Sequence, residues 1–176
     1  MRVIAAIAGV LLLGGQAGAE TYRFAITRNG DQIGTHSIDL NRTAAETTVS
    51  IATDLTVKVP VLGITAYRFQ HVASERWVAG RLVALNSTTD DNGTRHKVSV
   101  VMKPSGLEVE ADGKVIKLSV VDQGSEDLKI DARTFKAHHY TMKSKYSQDV
   151  WYDEQQHLVQ VKLIGPDGSV ILYKPL

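Results

Sequence analysis

From Val49 to Val59 the chain alternates without a slip. Val49, Ile51, Thr53, Leu55, Val57 and Val59 fall on one side, and Ser50, Ala52, Asp54, Thr56 and Lys58 on the other. Successive side chains of an extended strand point to opposite faces, so this pattern specifies a strand with one dry face and one wet face. The rhythm recurs from Tyr22 to Ile26 and from Tyr67 to Val78. Between such segments stand Asn29-Gly30, Ala79-Gly80, Asp90-Asp-Asn-Gly93, Pro104-Ser-Gly106, Asp112-Gly113, Gln123-Gly-Ser125 and Pro166-Asp-Gly168. Several of these residue types tolerate the positive φ angles of tight turns. No segment shows helical periodicity, and parallel strands need long crossover connections. The expectation is an all-β, antiparallel meander of about a dozen strands, forming a barrel or an open half-barrel. It reads as a single domain over residues 20–176.

Residues 1–19 stand apart from this pattern. Arg2 is followed by the apolar run Val3–Leu13 and then by small residues ending in Ala17-Gly18-Ala19. A charged start, a short apolar centre and an A-x-A exit predict a secretory signal peptide cut after Ala19, hence a periplasmic protein. The run is shorter than the roughly 20 apolar residues that span a bilayer. The chain has no cysteine, which excludes disulfides, thiolate metal sites, a cysteine nucleophile and a lipid-modified N-terminal cysteine. Its formal net charge of +1, from 20 basic and 19 acidic residues interspersed along the chain, argues against a nucleic-acid partner. Aromatic residues make up 6%, and strand faces carry full charges such as Arg68 and Arg76. An outer-membrane barrel needs an apolar band with aromatic girdles, so the chain is not expected to be an integral membrane protein.

Particular residues carry a family resemblance. They are Tyr22-Arg-Phe with Asn29-Gly-Asp-Gln-Ile-Gly-Thr-His36, Tyr67-Arg-Phe-Gln-His71 with Glu75-Arg-Trp77, Thr88-Thr-Asp-Asp-Asn-Gly93, Val150-Trp-Tyr-Asp153 and Asp167-Gly-Ser169. Over most of Thr21–Tyr173 the chain resembles a family of short exported proteins of Gram-negative bacteria classed as a domain of unknown function. The resemblance implies an all-β fold and no established activity. Members of that family carry a further stretch with a Trp-Asn pair before the final strands. This chain runs almost directly from Lys114 to Gly124 without it, which implies one or two strands fewer and leaves barrel closure open. The architecture is also similar, more distantly, to the half-barrels of periplasmic lipoprotein carriers; fold alone does not fix function.

The Tyr67–Val78 segment offers the most chemistry. Tyr67, Phe69, His71, Glu75 and Trp77 share its apolar face and are candidates to line a ligand cavity. Alternatively, His71 and Glu75 are buried polar groups bonded to neighbouring strands. His36 shares a face with Ile38 and Leu40, and His96 with Val98 and Val100, so His36, His71 and His96 are weak metal candidates if their strands adjoin. The adjacent pair His138-His139 points to opposite faces. No G-x-S-x-G elbow, phosphate-binding glycine loop or H-E-x-x-H occurs, so neither a catalytic residue nor a cofactor is expected. Val61, Leu62 and Ile64 lie in the segment Val59–Ile64, which is nearly all apolar and reads either as an inward plug or as an apolar lip.

Two functions fit these expectations. One is a non-enzymatic periplasmic protein holding an apolar or amphipathic molecule such as a lipid. The other is an envelope interaction or assembly module with a packed interior and no ligand, engaging another protein at a sheet edge. The final segment, Ser169–Leu176, is expected to pack through Val170 and Leu172.

Overall fold

The computed structural model describes residues 17–59, 62–104, 106–115, 119–143, 147–155, 157–165 and 167–176. The alternating segments form the strands β1 (Gly18–Arg28), β2 (Asp31–Arg42), β3 (Thr47–Lys58), β4 (Thr65–Val78), β5 (Arg81–Asp91) and β6 (Thr94–Lys103). They are followed by β7 (Gly106–Ala111), β8 (Lys114–Val115) and β9 (Ser119–Ile130). The last four are β10 (Arg133–Lys143), β11 (Gln148–Asp153), β12 (Leu158–Ile164) and β13 (Val170–Pro175). All pairings are antiparallel, and the fold is the expected all-β meander in one unclosed sheet.

The order is β8-β7-β6-β5-β4-β3-β2-β1-β13-β12-β11-β10-β9. The first and last strands therefore meet in the middle, Phe24 opposite Pro175 and Ile26 opposite Tyr173. The two free edges are the two-residue β8 and the 12-residue β9. Among the described residues the open seam falls between these two edges. The hairpin turns at Asn29-Gly30, Ala79-Gly80, Asn92-Gly93 and Asp112-Gly113 fall on predicted residues, with Asn29 and Asn92 both at φ 51°, whereas those at Thr43–Glu46 and at Asp131 carried no such signal. Glycine is required at position 34 for a different reason. A Cβ there would lie 2.2 Å from the Asp54 carbonyl oxygen and 2.6 Å from the Leu55 Cα, so its absence permits β2 and β3 to press together.

Two sequence expectations are corrected. Gln123-Gly-Ser125 is not a turn. It lies inside β9 at a bulge where Gly124 pairs with His139 but Asp122 with Tyr140, leaving Gln123 as the extra residue. In β13 the buried residues are Ile171 and Tyr173, whereas Val170 and Leu172 are half-buried. Pairing of Tyr173 with the fully buried Ile26 sets that parity. The strand also has neighbours on both sides, so it is no edge.

The inner face is dry. Phe24, Ile38, Val49, Phe69, Leu85 and Val100 from β1–β6 share one buried cluster with Val150, Tyr152, Val161 and Tyr173 from β11–β13. The inner faces of the two flanks thus pack against each other. A second, smaller cluster of Ile130, Ala137, Trp151 and Val159, with Leu128 and Phe135 against it, lies within β9–β12. Trp151 and Val150 are sequence neighbours in a strand, which places these two clusters on opposite faces.

Candidate functional site

Register brings the inner-face histidines into one row. Phe24 lies opposite His36, His36 opposite Thr53, Thr53 opposite His71, His71 opposite Thr89, and Thr89 opposite His96. Each imidazole uses its Nδ1 in the same direction along the row. His36 meets the Thr53 hydroxyl at 2.8 Å, His71 the Thr89 hydroxyl at 2.9 Å, and His96 the Asp112 carboxylate at 2.6 Å. His36 also packs between Phe24 and Tyr173, with ring centroids 5.6 and 5.1 Å away. Burial pushes His36 down to about 4, helped by the nearby His71, and burial alone does the same to His71. His36 and His71 are therefore neutral at pH 7.

The three histidines do not converge. Neighbouring strands lie about 4.8 Å apart, so alternate strands separate the imidazoles by roughly 10 Å. A zinc ion needs nitrogen ligands at about 2 Å. Among the described residues no group of three or more potential ligands is placed to hold a metal.

Tyr67, Phe69 and Trp77 are buried at 8%, 3% and 6% exposure. The Tyr67 hydroxyl donates to Asp91 at 2.6 Å, which together with burial pushes its ionisation far up. Glu75 is 3% exposed. Its Oε2 accepts from the Trp77 indole N–H at 2.8 Å, while its Oε1 has no partner among the described residues. Burial raises Glu75 to about 7, only partly offset by the Trp77 hydrogen bond. The Tyr152 hydroxyl is pushed up by burial and then by the Glu75 charge, which places β11 across the interior from β4. His36 Nε2 and Gln148 Nε2 are likewise buried without partners.

The sequence-selected apolar residues behave differently. Leu62 is 67% and Ile64 61% exposed, so this tip is a lip and not a plug. Val61 and residues 1–16 lie outside the described residues. Ala19, the last residue of the expected signal peptide, is paired with Asn41 in β1. Among the described residues no helix is long and apolar enough to cross a membrane.

Two groupings escaped the sequence. On β9–β11, His139 stacks on Trp151 with centroids 4.4 Å apart and has a carboxylate at each nitrogen, Glu126 at 3.3 Å and Asp149 at 3.1 Å. The Trp151 indole donates to the same Glu126 at 2.5 Å. On the opposite face, His138 Nδ1 lies 3.1 Å from the Ser125 hydroxyl, and its Nε2 lies 2.6 Å from Asp122. The carboxyl of Asp122 is held low by the Gly124 backbone N–H and then by His138. Both groupings depend on cross-strand register, which the bulge at Gln123 shifts by one residue and which period-two reading does not supply.

Two depressions mark the outer face. One, of about 820 Å³, is lined by side chains including Val72, Ser74, Asn86, Thr88, Lys97 and Ser99. The other, of about 280 Å³, is lined by Arg23, Asp54 and Gln70 among others, and also by His36, Thr53 and His71 of the histidine row. Neither opens on Tyr67, Phe69, Glu75 or Trp77.

A family model matches over residues 24–119 and 110–176, together most of the chain. The chain belongs to the family described as domain of unknown function DUF6134. The two matched DUF6134 segments overlap at 110–119, at the start of the Lys114–Gly124 stretch where the additional segment was expected to be missing. No curated protein matched the chain.

Proposed function

We propose that this chain is a non-catalytic envelope module, exported to the periplasm, that binds another protein along the free edge of β9. One observation carries the reading. The inner-face aromatics are already occupied, packed from both flanks into a single buried cluster, while β9 pairs only with β10 and its 12 residues end the sheet. An unpaired strand edge is a template for an added strand. Photo-crosslinkers at Val120 and Asp127, both exposed, would be activated in intact cells. Adducts with a discrete protein at these positions, absent from a control at exposed Thr48 of β3, are expected. No adduct at either β9 position overturns the reading.

The non-catalytic part rests on the Asp122–His138–Ser125 grouping. Its Asp122 side chain is 61% exposed, so water screens the carboxylate and its hold on the imidazole is weak. This grouping is cross-strand pairing and not an activated nucleophile.

A second reading, an interior apolar or amphipathic ligand such as a lipid, is favoured by the unpaired Oε1 of Glu75, since buried polar atoms ordinarily have partners. Native mass spectrometry of gently purified protein, with displacement of a fluorescent fatty acid, tests it. Lipid-free protein that does not bind the probe removes that reading.

A further inference from the structure

We propose that the β3–β4 hairpin is a membrane-docking finger whose tip enters the headgroup layer of an anionic lipid bilayer. The hairpin outruns β5 on one side, and on the other it runs past the end of its pairing with β2, which itself continues to Asp31. Pairing of β2 with β3 ends at Gly34 opposite Leu55, and pairing of β4 with β5 ends at Phe69 opposite Asp91. Pairing of β3 with β4 continues to Lys58 opposite Thr65. From Leu55 the arm runs on through Thr56, Val57, Lys58 and Val59, about 13 Å at 3.3 Å per residue. The tip is closed by backbone hydrogen bonds from Val59 to Ile64 at 2.8 Å and from Gly63 to Val59 at 3.1 Å.

The chemistry of the finger differs from that of the rest of the molecule. Residues 56–68 contain Lys58 and Arg68 and no acidic residue, in a chain whose overall charge is only +1. Both cations are exposed and flank the apolar tip. Leu62 and Ile64, at 67% and 61%, are among the most exposed large apolar side chains described, and Val59 adds 37%. Of the acids around its base, Asp91 accepts from Tyr67, Asp54 accepts from Gln70 at 2.7 Å, Asp90 accepts from the Gly93 backbone N–H at 2.7 Å, and Asp31 is exposed at the start of β2. Apolar side chains beside Lys and Arg suit the interface of an anionic bilayer, where amphipathic elements sink about 5–10 Å and cations meet phosphates. A protein groove would accept the apolar residues but has no general need for an arm whose only charges are cations.

The absence of cysteine permits a direct test. Leu62→Cys in the full chain provides a single site for an environment-sensitive fluorophore. Vesicles of phosphatidylcholine with phosphatidylglycerol are expected to shift its emission to the blue and to co-sediment the unlabelled protein, less so at high salt. Vesicles of phosphatidylcholine alone give a weaker response. Leu62→Ser with Ile64→Ser is expected to lower the bound fraction about tenfold or more. Lys58→Glu with Arg68→Glu should lower binding to anionic vesicles about tenfold. Val72→Ser, which removes a 58% exposed apolar side chain from the outer face, should leave binding unchanged. Unaltered thermal unfolding shows that the variants are folded. No blue shift on either vesicle overturns the proposal. So does a shift that needs added envelope protein, or one that follows protein concentration because two tips have met. Loss of crosslinks at β9 would leave this result untouched.

Discussion

Histidines occur on both flanks of the seam and meet opposite surroundings. On β2, β4 and β6 they face the interior, and those of β2 and β4 are each matched with a threonine hydroxyl on the next strand. On β10, His138 and His139 are matched with carboxylates, Asp122 on one face and Glu126 with Asp149 on the other. The difference teaches that a hydroxyl partner in a dry place satisfies one nitrogen without compensating a positive charge. His36 and His71 are therefore built to stay neutral, whereas His96, beside Asp112, and the β10 pair are placed for contact with charge.

The largest expected effect breaks this contrast by acid. His36 and His71 titrate near 4 in the folded protein against 6.5 unfolded. Between those values the unfolded chain binds protons that the folded chain refuses, so stability falls as pH drops from about 6.5 to 4. The loss is on the order of 3 kcal/mol per ring. His36→Gln with His71→Gln, which keeps a hydrogen-bonding group at each position, should flatten the curve of urea midpoint against pH over that window. An unchanged slope would remove the distinction.

Glu75 gives the next effect, with the opposite sign. Its folded value near 7 stands against 4.5 unfolded. Between these the folded chain keeps a proton that the unfolded chain releases, so stability falls as pH rises from about 4.5 to 7. Glu75→Gln retains an acceptor for the Trp77 indole and should abolish this slope, leaving the variant more stable relative to the parent at pH 8 than at pH 4.5. The relative gain is on the order of 3 kcal/mol. Thermal melts at the two pH values measure it.

Smaller effects belong to the solvent-facing flank. His139→Gln removes partly exposed ion pairs, and its cost should stay within about 1 kcal/mol at neutral pH. A loss as large as that from a core substitution would mean that the Trp151 stack supports the second cluster more than its exposure indicates. The smallest effect is none. Equimolar zinc should not move the melting temperature, because the imidazoles of the row are spaced and not gathered. A zinc-dependent rise abolished by His71→Gln would show the row rearranging around a metal.

Much of the fold was legible because alternation reports burial directly. The faces of Val49–Val59 and Tyr67–Val78, and the turns at Asn29, Ala79 and Asn92, needed no long-range information. The burial of Tyr67, Phe69, His71, Glu75 and Trp77 followed from the same parity. What alternation does not encode is which residue stands opposite which. The His–Thr row needed the register of five strands. The His139–Trp151 stack needed the β10–β11 register, and the bulge at Gln123 hid the Asp122–His138 pairing. The position of β13 beside β1 was also illegible, since alternation says nothing about strand order or closure. Leu62 and Ile64 were read as lip or plug alike because hydrophobicity does not say where a hairpin ends relative to its neighbours.

That first and last strands pair has a consequence in time. β1 precedes Val170–Pro175 by almost the whole chain, so one side of β1 waits for its partner until the last strand arrives. Hairpins from β2 to β8 need only neighbours in sequence, but the midline of the sheet is the last place to be zipped. In refolding from urea, full protection of β1 amides from solvent exchange should therefore appear no earlier than protection of Val170–Pro175. Until then β1 holds an unsatisfied row of donors and acceptors along one side.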